Sequence, residues 1–163
     1  MKSLLIVWHS MTTGAQQMAH AAAQGAQAAG DISVNLSSAR DTGAGEVLAA
    51  DGFLFVTPEN LASMSGMMKD FFDRTYYAAL DRINGRPYAI LVCAGSDGSN
   101  AVRQIQRIAT GWRLKEVAVP IIVNTAAQMP AAILAIKTIA ADQLQLCRER
   151  GALLATGLVA GVW

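Results

Sequence analysis

Apolar and polar positions along the chain alternate between two periods. Residues 3–8 form a continuous apolar run with β-branched members, the pattern of a strand covered on both faces. Residues 15–29 are rich in Ala and Gln, which predicts a helix, with Gly30 as its stop signal. Residues 32–36 alternate and predict a second strand, followed by a turn-rich loop over 41–45. Residues 52–56 form a third apolar run, ended by Thr57-Pro58. Between 65 and 80, Met68, Phe71, Phe72, Thr75 and Tyr76 recur at helical spacing. Gly85-Arg86-Pro87 reads as a turn before a fourth strand at 88–93. Residues 100–110 read as a helix and 117–123 as a fifth strand, whose Pro120 implies an edge or a bulge. A last helix is expected over 131–150, closed by Gly151, before an apolar tail.

Strand and helix alternating five times predict an α/β fold. The expected form is a three-layer α/β/α sandwich on a five-stranded parallel sheet, in the flavodoxin-like order 2-1-3-4-5. At 163 residues the chain is expected to form one domain over 1–163. Such sheets bind ligands outside the carboxyl ends of their strands, so the loops after strands one, three and four are the places to inspect.

Composition narrows the field. Apolar residues make up 53%, which excludes a disordered chain and suggests a homo-oligomer. Thirteen Lys and Arg against twelve Asp and Glu leave a net charge of +1. That is no field for nucleic acid or an anionic membrane. Cys93 and Cys147 are the only cysteines, and with His9 and His20 they give no expectation of a metal site or a disulfide framework. The first apolar run is too short for a signal peptide, so a soluble, reduced, cytoplasmic setting is expected.

The first loop, His9-Ser10-Met11-Thr12-Thr13-Gly14-Ala15-Gln16, leaves a buried strand and opens a helix. Its hydroxyls and the free N–H groups of the helix start suit an anion. It lacks the Lys of an NTPase loop and the spacing of a dinucleotide fingerprint. An ordinary helix cap explains its Ser and Thr equally well. The second loop, Thr57-Pro58-Glu59-Asn60-Leu61-Ala62-Ser63-Met64-Ser65-Gly66, offers apolar Leu61 and Met64 to a flat ring, with polar Glu59 and Asn60 beside them. The third, Cys93-Ala94-Gly95-Ser96-Asp97-Gly98-Ser99-Asn100, permits close approach through its glycines, or is simply a turn and a cap.

These loops, with Met67-Met68-Lys69-Asp70-Phe71-Phe72-Asp73-Arg74 after the second, resemble the flavodoxin-like FMN-binding family. The resemblance covers nearly the whole chain. The 64–74 stretch, Met-Ser-Gly through Asp-Arg, points to its NAD(P)H-dependent FMN and quinone reductase branch more than to flavodoxins. It implies that Ser10, Met11, Thr12, Thr13, Gly14 and Ala15 hold the FMN phosphate. Pro58, Glu59, Asn60, Leu61 and Ala62 would line one side of the flavin, and Ala94, Gly95, Ser96, Asp97 and Gly98 the other. Thr13 stands where the family often has glycine, and no aromatic residue occupies the flavin loops.

The activity so implied is an FMN-dependent oxidoreductase that takes hydride from NAD(P)H and passes it to a quinone or similar small-molecule acceptor. A flavodoxin-type electron carrier and a regulatory or degenerate flavin-binding domain without activity are the alternatives. Arg103, Arg107 and Arg113 either attract the extra phosphate of NADPH or are plain surface residues.

Overall fold

The computed structural model describes residues 1–163. Its strands are β1 (Lys2–Trp8), β2 (Ile32–Ser38), β3 (Gly52–Asn60), β4 (Ser63–Met64), β5 (Pro87–Ala94), β6 (Lys115–Glu116) and β7 (Ile121–Asn124). The helices are α1 (Gly14–Ala28), α2 (Ala44–Ala49), α3 (Gly66–Ala79), α4 (Ser99–Gly111), α5 (Pro130–Leu134) and α6 (Ala141–Ala160).

The sheet has seven strands, ordered β2-β1-β3-β5-β6, with β4 on β3 and β7 on β5. All pairings are parallel except the small β3–β4 hairpin. The expected fifth strand is present in two pieces. Lys115–Glu116 pairs with the start of β5 and Ile121–Asn124 with its end. Pro120, which lacks an N–H, lies in the gap. With those pieces counted as one, and the hairpin strand set aside, the order is the 2-1-3-4-5 expected from sequence.

Side chains alternate across the sheet and build two different cores. Leu5, Val7, Phe53, Phe55, Tyr88, Ile90 and Val92 face α2, α3 and α4. This layer is aromatic. Phe55 packs on Phe71 and Phe72, and Trp112 stacks on Tyr76 while donating its Nε1–H to the Tyr76 carbonyl. Leu4, Ile6, Leu54, Val56, Leu91 and Cys93 face the Ala-rich α1 and α6. Small residues let these two helices touch through their backbones. A Cβ on Gly25 would lie 2.0 Å from the Arg148 carbonyl, and one on Gly151 would lie 1.9 Å from the Ala22 carbonyl.

The helices differ from expectation at three points. α1 is capped by Ala29 in the right-handed helical region, one residue before Gly30. α2 falls in what reads as loop; the Gly43 N–H donates to the Glu46 carboxylate at 3.0 Å, and Arg86 closes the far end on the carbonyls of Leu48 and Ala50. The expected 131–150 helix is two helices, with an extended segment between Leu134 and Ala141. α6 then runs through Gly151 to Ala160, and the Trp163 ring folds back over Gly157.

Candidate functional site

β1, β3 and β5 all end at one edge of the sheet, and the three loops leaving them come together there. The strand ends themselves are fixed by the ladder. His9 N donates to the Val56 carbonyl, the last such bond before the first loop departs.

From Ser10 to Thr13 no main-chain N–H donates to a protein acceptor. The first turn of α1 adds those of Gly14 to Gln16, whose helical partners would precede the helix. This row of donors, with the positive end of α1 behind it, forms a cradle that could hold an anion. The hydroxyls of Ser10 and Thr12 are free of protein partners, whereas Thr13 is committed elsewhere. Its Oγ1 donates to the Lys137 carbonyl at 3.2 Å and accepts from Gln17 Nε2 at 3.1 Å. Thr13 holds φ at +68°, a conformation that suits glycine. Gly14 is pressed against β5, where a Cβ would meet Cys93 Sγ at 2.5 Å. Burial pushes the Cys93 thiol up, with the nearby Lys137 charge working against it.

The second loop is the β3–β4 hairpin. Asn60 pairs with Ser63, so the turn has only Leu61 and Ala62, with φ of +51° and +59°. Leu61 is fully exposed at the tip. Glu59 Oε2 is buried and has no hydrogen-bond partner. Asn60 Nδ2 reaches Met11 Sδ at 3.2 Å, joining this loop to the first. Behind the hairpin, Gln104 Oε1 accepts from both Ser63 Oγ and Met64 N, and Asn100 Nδ2 donates to the Ala62 carbonyl.

A buried polar knot ties the hairpin to β1 and α3. Ser65, fully buried, caps α3 by accepting from Met68 N at 3.2 Å. Its hydroxyl also meets His9 Nδ1 at 2.9 Å and Thr57 Oγ1 at 3.3 Å. Burial lowers the His9 pKa, which favours the neutral imidazole.

The third loop lies under a segment the sequence does not flag. Asn124 Nδ2 donates to the Ser96 carbonyl, Gln128 Nε2 to the Gly95 carbonyl, and Thr125 N to the Ala94 carbonyl. Asp97 is turned to Ser99, whose hydroxyl it accepts at 2.5 Å. The chain then runs as a strap over 125–140 to the first loop. There Lys137 N donates to the Thr12 carbonyl, and Gln17 holds the strap twice, donating to Lys137 O at 2.7 Å and accepting from Ile139 N at 3.1 Å. Lys137 Nζ folds onto the carbonyls of Ala132, Ile133 and Ala135, so it brings no cation to the cradle.

All three predicted residue groups therefore sit at one edge, linked by Asn60–Met11, Asn100–Ala62 and Gly14–Cys93. Gln17, Gln104, Asn124, Thr125 and Gln128 escape sequence reading as site residues. Each is a polar residue whose partner is a main-chain atom or a side chain far along the chain, and no spacing rule announces such a pair.

The family model described as NADPH-dependent FMN reductase matches residues 38–128, more than half of the chain. The chain belongs to this family. The matched part holds the second and third loops and α3, while the anion cradle precedes it. Among curated proteins, an NAD(P)H dehydrogenase (quinone) from Acidithiobacillus ferrooxidans is 32% identical over 95 residues, covering 46% of this chain and 48% of that protein. The chain thus spans about half the length of the curated relative it matches.

Solved structures similar to this family member include a flavodoxin from the domain Archaea, with TM-score 0.77 and 18% identity over 96% of this chain and 99% of that one. A flavodoxin, WrbA-like protein from Agrobacterium tumefaciens has TM-score 0.73 and 18% identity over 98% and 99%. The flavodiiron protein from Giardia intestinalis has TM-score 0.78 and 17% identity over 98% of this chain but 37% of its own. These likenesses establish the flavodoxin-like fold. No helix is long and apolar enough to cross a membrane.

Proposed function

We propose that this family member binds FMN at the carboxyl edge of the sheet and uses it to pass electrons from NAD(P)H to a quinone or similar small acceptor. The observation that carries the reading is the row of unpaired N–H groups from Ser10 to Gln16, next to the orphaned Glu59 carboxylate oxygen.

The residues fit the cofactor. The cradle offers main-chain donors, the Ser10 and Thr12 hydroxyls and a helix N-terminus to the phosphate, without a cation. Glu59 Oε2 is an acceptor without a donor, as suits a ring N–H of the flavin. Leu61 and Met11 supply apolar surface where carrier proteins use aromatic rings. When bound, FMN supplies the hydride-accepting and hydride-donating chemistry. The chain's own work is to anchor the phosphate, fix the hairpin through Gln104 and Asn100, and keep His9 neutral beside the cradle.

Titration with FMN, followed by anaerobic NADPH or NADH and then a benzoquinone, tests the reading. The expected result is saturable binding seen in the visible spectrum, bleaching by a reduced nucleotide, and recovery of colour on adding quinone. FMN that binds but stays oxidised with both nucleotides would favour an electron carrier. No binding at all would leave a flavin-free role. Glu59→Ala is expected to weaken FMN binding by about tenfold, the usual loss for one buried hydrogen bond to a charged group; unchanged affinity would remove Glu59 from the site.

A further inference from the structure

Between the end of β7 and the start of α6 lies a cavity that the flavin reading leaves unused. It holds about 390 Å³, within the size range of small-molecule sites. Three segments wall it: the end of β7 with the residues after it, the strap, and the first turn of α6. Val123 and Ile139, both buried, are part of that wall, so the cavity reaches down to the core. Eight of its thirteen lining residues are apolar, Ala127, Ala135 and Ile136 among them.

The cavity offers no charge to a ligand. No carboxylate lines it, and its one cation, Lys137, spends its ammonium group on the carbonyls of Ala132, Ile133 and Ala135. Asn124 and Thr125 are committed as well, to the carbonyls of Ser96 and Ala94. A charged ligand would lose water there without a partner in return, so the cavity selects a neutral one. The surroundings are apolar too. The chain has no charged residue from Val117 to Ile136, and α5, inside that stretch, has no buried residue. Met129, Ile133, Leu134 and Ile136 stay exposed along the strap. Exposed apolar surface gathered in one place marks an interaction site.

The position of the cavity says what kind. Two of its wall residues touch the third loop. Asn124 Nδ2 donates to the Ser96 carbonyl, and the Ala127 carbonyl lies 2.9 Å from where a Cβ on Gly95 would stand. That loop is one side of the candidate flavin site. An acceptor with its ring at the flavin therefore has an uncharged, apolar slot next to it for a side chain.

We infer that the cavity under the strap takes the isoprenoid side chain of the acceptor, so that the preferred acceptor is a prenylated, lipid-soluble quinone. The inference rests on the oxidoreductase reading above and narrows its substrate class.

Two measurements test it. In calorimetric titrations of the whole protein, with and without FMN, geraniol, a neutral chain of two isoprene units with no quinone ring, should bind saturably. Ala135→Trp, which fills the cavity from an exposed position, and Ile136→Asp, which brings a charge to its wall, should each weaken that binding by at least about tenfold. With the FMN-loaded protein, kcat/KM is compared for menadione and for the same ring carrying two isoprene units. The ratio of prenylated to plain quinone should fall by at least about tenfold in both variants, while kcat/KM for menadione stays within about twofold of wild type. Leu153→Trp, which adds the same ring to an exposed apolar position of α6 outside the cavity, should leave the ratio unchanged.

Geraniol that does not bind, or binds equally well to both cavity variants, would overturn the inference. So would a quinone ratio within about twofold of wild type in those variants, or an equal fall in Leu153→Trp. If the FMN-loaded protein accepts electrons from neither nucleotide, the oxidoreductase reading fails and the assignment to a quinone falls with it, while the geraniol titration still decides whether the cavity takes an apolar chain.

Discussion

Leu61 and Ala62 occupy the left-handed region at φ of +51° and +59°, where asparagine and glycine rest at lower cost. Leu61→Asn with Ala62→Gly should therefore stabilise the protein by about 1 kcal/mol, read as a rise in the urea midpoint at constant m. A fall would mean that the leucine tip packs on something in solution. His9 sets a second residue-scale expectation. Its folded pKa lies below the unfolded value of 6.5 because burial opposes the charge. The unfolded chain then binds more protons, so the His9 contribution is complete above 6.5 and is lost as pH falls from there through the folded pKa. His9→Gln should flatten the slope of stability against pH in that window; an unchanged slope would assign it to other groups. At this scale the sequence shows which residue types crowd the loops. It does not show that the Thr13 hydroxyl turns to Lys137 while Ser10 and Thr12 stay open, because that depends on a segment more than a hundred residues away.

Among the elements, the α1–α6 contact is the most demanding of residue size. Gly151→Ala places a methyl group within 1.9 Å of the Ala22 carbonyl, which main chain can relieve only by moving the helices apart. A cost of about 1–3 kcal/mol is expected in denaturant unfolding. A neutral outcome would show that α6 slides freely on α1. The same glycine explains why the end of α6 is misread from sequence. Glycine after an apolar helical run is the usual stop signal, but this one serves close packing inside a helix that continues to Ala160. The buried strands are legible because their apolar runs report burial directly. α2 is not, since one turn and a half with a single buried residue, Val47, leaves no period to detect. The 135–140 stretch has helical composition, yet Thr12, Thr13 and Gln17 bind the main chain around Lys137 and keep it extended. Long-range hydrogen bonds override local propensity there.

For the molecule as a whole, ligand binding and folding are linked. A ligand that binds only the folded chain stabilises it by about 2.7 kcal/mol at a hundred times its Kd. FMN at that excess should raise the melting temperature by several degrees, as seen by near-ultraviolet circular dichroism, and riboflavin, which lacks the phosphate, should do much less. Equal shifts would deny the cradle its role. The strap bears on how such a protein can change over time. Its fastenings at Lys137 and Ile139 use main-chain groups that every residue type carries, and the one to Gly95 comes from the Gln128 side chain. They are indifferent to the side chains between them, and Met129, Ile133, Leu134 and Ile136 all point outward. Those four positions are thus free to drift without loosening the clasp. A library randomised there should keep its folded fraction while its acceptor range diverges, which makes the strap the place where relatives can acquire new partners first.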